Sequence, residues 1–297
     1  MSSYVYFNGT LRQEHEVKVS IFDRSYLYGE GLFETLKASQ GFIPYMQEHL
    51  NRLFHGIDLL KMDVDVSRAK LEFALYQTLH HNRFKEAYLK LILSRENLEF
   101  GSTEAGEETN LLVVAKVLPK LSTKLYTQGC SAHVVDSIKI AADVLCQIKS
   151  SNYLKQLLAQ RIARDVGADE ALLLNSSGRL VEGATSNLFI VKQRKVFTPP
   201  LEEGILPGIT RQVLLELMQR NHWNFEETPL TIEDLREADE AFLTSSLKEV
   251  MPLTRVDGKT IGEGQVGPLS QEALQLLREE TQFRIEGFQS RRWGVGA

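Results

Sequence analysis

The stretch from Gln147 to Arg211 constrains the fold most, because nearly every change of direction along it is marked by residue type. It opens with a lysine just ahead of a helix, in Ile148-Lys149-Ser150-Ser151-Asn152-Tyr153-Leu154. Leu154, Leu157, Leu158, Ile162 and Val166 then recur at helical spacing, and Gly167 is a natural residue to follow the last turn. Ala171–Leu174, the turn Asn175-Ser176-Ser177-Gly178 and Leu180–Glu182 read as strand, turn, strand. Leu188–Val191 and Val196–Thr198 read as a further hairpin. Pro207-Gly208 precede a helix from Ile209 to Arg220, whose first-turn N–H groups are a ready site for an anion.

The remainder is marked less densely. Tyr4-Val5-Tyr6-Phe7 is a strand closed by the Asn8-Gly9 hairpin signal. In Tyr28-Gly29-Glu30-Gly31-Leu32-Phe33-Glu34 the two glycines permit positive φ or close backbone approach, ahead of a buried strand with its aromatics in the core. Leu50, Leu53, Phe54, Ile57 and Leu60 stripe a helix from Met46 to Leu60. Arg52 falls on the side opposite that stripe, where an arginine is ordinarily solvated. A helix from Val66 to about His80 follows, then strands at Ala87–Arg95 and Asn110–Val117. Pro119–Thr123 reads as a linker, and apolar strand segments resume at Ser131–Val135 and near Ile138. Thr231-Ile232-Glu233-Asp234 has the form of a capping box, Glu240–Thr244 of a strand and Asp257-Gly258 of a hairpin turn. An amphipathic helix spans Ser270 to about Ile285, and the tail from Gln289 is expected to be disordered.

With 297 residues, 43% of them hydrophobic and 25% charged, the chain can bury a core. A net charge of −5, with no interleaving of arginines and aromatics, gives no reason to bind nucleic acid. No apolar run approaches the ~20 residues that span a bilayer. Met1-Ser2-Ser3-Tyr4 begins no secretory signal, so no membrane association is expected and the chain reads as cytoplasmic. Cys130 and Cys146 lack CxxC spacing and predict reduced structural thiols, with no disulfide framework and no metal site.

From Ser20 to Gly258 the order and spacing of these segments resemble the class IV, fold type IV, pyridoxal 5'-phosphate (PLP) aminotransferases. That family includes branched-chain and D-amino-acid aminotransferases and 4-amino-4-deoxychorismate lyase. Its Glu-Gly-x-x-x-Asn-x-Phe pattern is complete as Glu182-Gly183-Ala184-Thr185-Ser186-Asn187-Leu188-Phe189. The resemblance implies that Lys149 holds the cofactor aldehyde and later moves the substrate Cα proton, with its amine pKa lowered for that task. It implies that Glu182 keeps the pyridine nitrogen protonated. The phosphate would rest on the N–H groups of Ile209 and Thr210, the Thr210 hydroxyl, Ser245-Ser246, and Arg52 of His49-Leu50-Asn51-Arg52-Leu53. Tyr153 would orient the phenolic oxygen; it follows the lysine by four residues, as in D-amino-acid enzymes and the lyase, where branched-chain enzymes have five.

Tyr28 and Phe33 would wall the substrate pocket, and Lys90 and Arg95 are each either a substrate-carboxylate ligand or a surface charge. Branched-chain enzymes carry Tyr-x-Arg where this chain reads Tyr88-Leu89-Lys90, and the run to Ser94-Arg95 looks more like the lyase. The lyase's glycine-rich loop is replaced by Glu96-Asn97-Leu98-Glu99-Phe100, and Ala184–Asn187 and Leu206–Arg211 look like aminotransferases. The implied architecture is α/β (α+β): a small N-terminal α+β domain over 1–118, a linker at 119–125, and a larger C-terminal PLP-binding domain over 126–297 with a barrel-like sheet. The resemblance puts the active site in the cleft between them and makes the protein a homodimer, with a partner loop completing each pocket. The expected activity is transfer of an amino group between an α-amino acid, of branched-chain or D type, and a 2-oxo acid. The alternatives are the pyruvate-releasing lyase and a non-catalytic protein that keeps the fold.

Overall fold

The computed structural model describes residues 3–97 and 105–293. The chain divides into two compact units: the described residues of Met1–Pro119, Ile148–Tyr153 and Phe283–Ala297 form one, and Lys120–Gln147 with Leu154–Gln282 the other.

The first unit contains β1 (Tyr4–Phe7), β2 (Thr10–Gln13), α1 (Arg24–Tyr28), β3 (Gly31–Ala38), α2 (Met46–Leu59), α3 (Arg68–His81), β4 (Ala87–Asn97) and β5 (Ala105–Val117). Its sheet is antiparallel, in the order β2-β1-β5-β4-β3. Asn8 and Gly9 both take positive φ in the β1–β2 turn, as an Asn-Gly hairpin requires. Leu50, Leu53 and Ile57 of α2 and Leu71, Leu75 and Leu79 of α3 bury against Leu36, Leu89, Leu91 and Val113 of the sheet. Each such side chain contributes about 1.5–3 kcal/mol. Ser67 caps α3 by accepting the Lys70 N–H.

The two glycines between α1 and β3 are explained by crowding. Gly29 ends α1 with φ 71°, and a Cβ on Gly31 would stand 2.7 Å from Ser25 Oγ and 2.9 Å from Ser151 Oγ. The segment Ile148–Tyr153 presses against this point. The Phe33 N–H donates to Lys149 O at 2.9 Å, and the Ser151 N–H to Gly31 O at 2.8 Å.

The second unit contains α4 (Lys124–Thr127), β6 (Cys130–Ile140), α5 (Leu154–Asp165), β7 (Glu170–Asn175), β8 (Leu180–Gly183), β9 (Ser186–Lys192), β10 (Lys195–Thr198), α6 (Ile209–Arg220), β11 (Phe225–Glu227), α7 (Ile232–Arg236), β12 (Glu240–Ser245), β13 (Glu249–Val256) and β14 (Lys259–Thr260). The chain closes with α8 (Pro268–Trp293), whose residues from Phe283 belong to the first unit. The order β9-β12-β13-β6-β7-β8, with β8 also paired to β9, closes into the barrel-like sheet expected from the resemblance. The two apolar segments read near Ser131–Val135 and Ile138 are one strand, β6, whose register on β7 shifts between Val135 and Lys139. Leu172, Leu174, Leu188, Ile190, Leu243, Met251 and Leu253 form one buried cluster of this sheet.

Two expectations need correction. On α5 it is Ala159, Ile162 and Ala163 that pack inward, whereas Leu154, Leu157 and Leu158 are exposed, Leu154 by 70%. Small alanines let the helix lie close to the sheet, which leaves the leucine stripe on the outer side. The tail read as disordered from Gln289 is helical to Trp293, and the rest of it lies outside the described residues. Phe288 stacks on Phe42 at 4.3 Å and holds that last part of α8. Among the described residues no helix is long and apolar enough to cross a membrane.

Candidate active site

Lys149 sits in the segment that lies against β3, and its Nζ is 4.6 Å from the centre of the Phe33 ring and 5.6 Å from that of Tyr153. The two rings meet edge to face at 5.5 Å. Lys90 Nζ lies 4.5 Å from the same Phe33 ring. It reaches there because β3 and β4 pair with Thr35 opposite Lys90, so Lys90, Thr35 and Phe33 share a face. Burial pushes the Lys90 amine below its ordinary value. Strand alternation sends Arg95 to the other face of β4, away from Phe33 and Lys90. Tyr28 ends α1 half exposed, with the Arg24 guanidinium 5.3 Å from its ring centre.

Arg52 is not solvated. It is held by Glu34, a buried carboxylate in the middle of β3. Arg52 Nε donates to Glu34 Oε1 at 2.8 Å and Nη2 to Oε2 at 2.6 Å, while His49 Nδ1 is 2.7 Å from Oε2. Burial alone would push the Glu34 carboxyl up, but the Arg52 guanidinium and His49 outweigh it and hold the group at about 2. Burial also pushes His49 below its ordinary value, against the pull of Glu34; an ionised carboxylate only accepts, so it is Nδ1–H that donates. The fork of Arg52 is thus fixed in direction from behind. The sequence carried a signal for this: a glutamate in the apolar run Leu32-Phe33-Glu34-Thr35-Leu36 needs a buried partner.

In the second unit Glu182 Oε2 accepts the Asn187 carboxamide N–H at 3.0 Å and the Leu206 backbone N–H at 3.1 Å. Asn187 also donates to Leu206 O at 3.0 Å. Its Oδ1 lies where a Cβ on Gly208 would be only 1.9 Å away, so no other residue fits at 208 without a shift. Gly208 is the N-cap of α6 and supplies no side-chain cap, while Ile209 and Thr210 are buried in the first turn. Ser245 and Ser246 lie at the turn from β12 to β13, and Ser245 Oγ accepts the Lys248 N–H at 3.3 Å. Sequence reasoning missed what secures that turn. Lys248 Nζ donates to the buried Glu170 at 2.8 Å, and the Thr185 hydroxyl donates to the same oxygen at 2.7 Å. Thus Lys149, Tyr153, Phe33 and Lys90 gather in the first unit, and Glu182 joins the start of α6 in the second.

The amino-transferase class IV family model matches residues 31–256. The chain belongs to that family. A D-alanine aminotransferase of Bacillus licheniformis is 34% identical over 275 residues, which are 92% of this chain and 95% of that protein. A branched-chain aminotransferase structure from Thermoproteus uzoniensis superimposes with a TM-score of 0.89 at 29% identity, covering 97% of each chain. A Legionella pneumophila chain described provisionally as a 4-amino-4-deoxychorismate lyase has a TM-score of 0.81 at 29% identity, covering 90% of this chain and 97% of that one.

The cofactor of class IV aminotransferases is PLP, and the residues present fit it. Lys149 offers an amine among aromatic rings, Glu182 a carboxylate oriented by two neutral donors, and α6 an N-terminus without a side-chain cap. When bound, PLP supplies the electron sink that lets an amino-acid Cα release its proton.

Proposed function

We propose that this class IV aminotransferase moves an amino group between an α-amino acid, of branched-chain or D type, and a 2-oxo acid. The observation that carries this reading is the placing of Lys149 and Lys90 on one aromatic ring, Phe33. One lysine serves as cofactor anchor and mover of the Cα proton. The other serves as cation for the substrate carboxylate; partial burial disfavours its charge while it stands alone and strengthens its attraction to an anion that pairs with it. Phe33 and Tyr28 wall the substrate side chain, and Arg95, on the other face of β4, is the weaker candidate for a carboxylate. Glu182 holds the proton on the pyridine nitrogen, Tyr153 orients the phenolic oxygen, and Arg52, Ile209, Thr210, Ser245 and Ser246 take the phosphate. The exposed leucine stripe of α5, with exposed Val144 and Leu145 before it, supports a homodimer. Two free thiols suit a reducing, cytoplasmic compartment.

The test mixes the PLP-loaded enzyme with single L- and D-amino acids and no acceptor. Transamination converts PLP to pyridoxamine phosphate, with 2-oxo acid appearing stoichiometrically. The lyase reading, supported by the Legionella likeness, prevails if no amino acid does this while aminodeoxychorismate yields pyruvate over many turnovers.

A further inference from the structure

Thr244, the last threonine of β12, is 1% exposed, and its Oγ1 is buried with no hydrogen-bond partner among the described residues. A strand threonine can return its hydroxyl to a nearby carbonyl, as Thr198 does to Leu188 O at 2.8 Å. Thr244 does not, so its hydroxyl is desolvated without compensation, and such a group in a native fold calls for an explanation.

Register says where the hydroxyl lies. β12 pairs with β9 so that Thr244 stands opposite Asn187. Directly opposed residues of antiparallel strands project to the same face, with Cβ atoms about 4.5–5.5 Å apart. On that face the Asn187 carboxamide holds Glu182 and lies against Gly208, the N-cap of α6. The next residues along the two strands, Leu243 and Leu188, turn the other way into an apolar cluster. Helix α6 packs on β12. An orphaned donor, a helix N-terminus without a side-chain cap and the Ser245-Ser246 turn therefore share one neighbourhood.

We propose that Thr244 is a further phosphate ligand: its Oγ1–H donates to an oxygen of the PLP phosphate held at the N-terminus of α6. This rests on the reading that the phosphate sits there. An anion with three terminal oxygens accepts from the helix N–H groups and from Thr244 at once, and the donor left over by the fold gains its partner only when cofactor binds.

The test compares Thr244→Val, Thr244→Ser and Thr210→Val with the full-length parent. Two quantities are read: thermal stability without cofactor, and the ratio of affinities for PLP and for pyridoxal, which lacks the phosphate. Thr244→Val removes an unsatisfied hydroxyl at constant shape, so the cofactor-free protein should melt at the same temperature or higher. Its PLP-to-pyridoxal ratio should nevertheless fall roughly ten- to a hundredfold, the worth of one hydrogen bond to a charged group. Thr244→Ser, which keeps the hydroxyl, should hold the ratio within about threefold. A purely structural role would weaken both cofactors alike and leave the ratio unmoved. If the ratio falls in Thr210→Val but not in Thr244→Val, Thr244 is no ligand and the proposal fails alone. If neither variant moves it, neither hydroxyl touches the phosphate, and the proposal fails together with the part of the reading beneath it that gives the Thr210 hydroxyl to the phosphate. Should the valine variant not fold, Thr244→Ala is scored by the same ratio.

Discussion

Two carboxylates, one in each unit, are each 1% exposed, yet the fold secures them by different means. Glu34 faces a guanidinium on a helix, which engages both of its oxygens, with a histidine from the same helix face behind it. Glu170 faces an ammonium on a turn, which makes one bond and shares the carboxylate with the hydroxyls of Thr185 and Ser186. Arg52 is 8% exposed and Lys248 25%. A planar fork on a rigid element fixes direction, whereas a point charge on a flexible stem fixes proximity. The first arrangement suits aiming a cation at an anion. The second suits holding two turns, Gly183–Ser186 and Ser245–Lys248, at a set spacing.

The comparison breaks most visibly at Arg52. Arg52→Leu leaves Glu34 buried with only His49, and we expect a loss of about 3–5 kcal/mol in stability, the range for removing one partner of a buried pair. Urea unfolding of the cofactor-free protein measures it. Arg52→Leu with Glu34→Leu should recover most of that loss while PLP affinity stays low. A double variant as unstable as the single would show that packing, not the uncompensated charge, sets the cost.

What was legible in the sequence divides along the same line. Local devices were readable: the Asn8-Gly9 turn, the capping box at Thr231 with Asp234 in place of Glu, and the helix bounds Ile209–Arg220 all follow from residue types a few positions apart. The apolar run around Glu34 signalled that it needs a partner but not which, because His49 and Arg52 lie 15 and 18 residues away. A periodicity that counts only apolar residues assigns Arg52 to solvent. The α5 stripe shows the opposite failure, since Leu154, Leu157 and Leu158 mark an apolar face without saying that Ala159 and Ala163 take the inner side. The candidate roles of Lys149 and Glu182 came from resemblance, and the Thr244 hydroxyl gave no sequence signal at all.

A milder test of the same comparison is acid. Glu34 sits at about 2 in the fold against an ordinary 4.5, so it stabilises the protein fully above pH 4.5 and that share is lost as pH falls towards 2. His49 is depressed by burial, so the unfolded chain takes up its proton first, and stability also declines as pH falls below 6.5. Two successive losses are therefore expected on acidification, the lower one worth at most about 3 kcal/mol. Glu34→Gln should flatten the slope between pH 4.5 and 2 and leave the upper one largely in place. An unchanged lower slope would remove Glu34 as its source.

The smallest effect is expected at Lys248. Lys248→Met strips the cation from Glu170, but the Thr185 and Ser186 hydroxyls and the Ala171 N–H remain as donors at 2.7, 3.3 and 3.2 Å. Water also reaches the lysine, which weakens the pair it replaces. We expect a loss of about 2 kcal/mol, the worth of a hydrogen bond to a charged group, against the larger figure at Arg52. Because the lysine joins two turns, the change should appear locally: faster hydrogen exchange at the amides of Ser246–Lys248 and of Ala184–Thr185, with the strands on either side unchanged. Lys248→Arg should keep both turns protected, since any cation that reaches Glu170 restores the link. Exchange that quickens evenly through β7, β12 and β13 would mean that Lys248 supports the sheet as a whole, and the distinction between an aimed cation and a joining one would not hold.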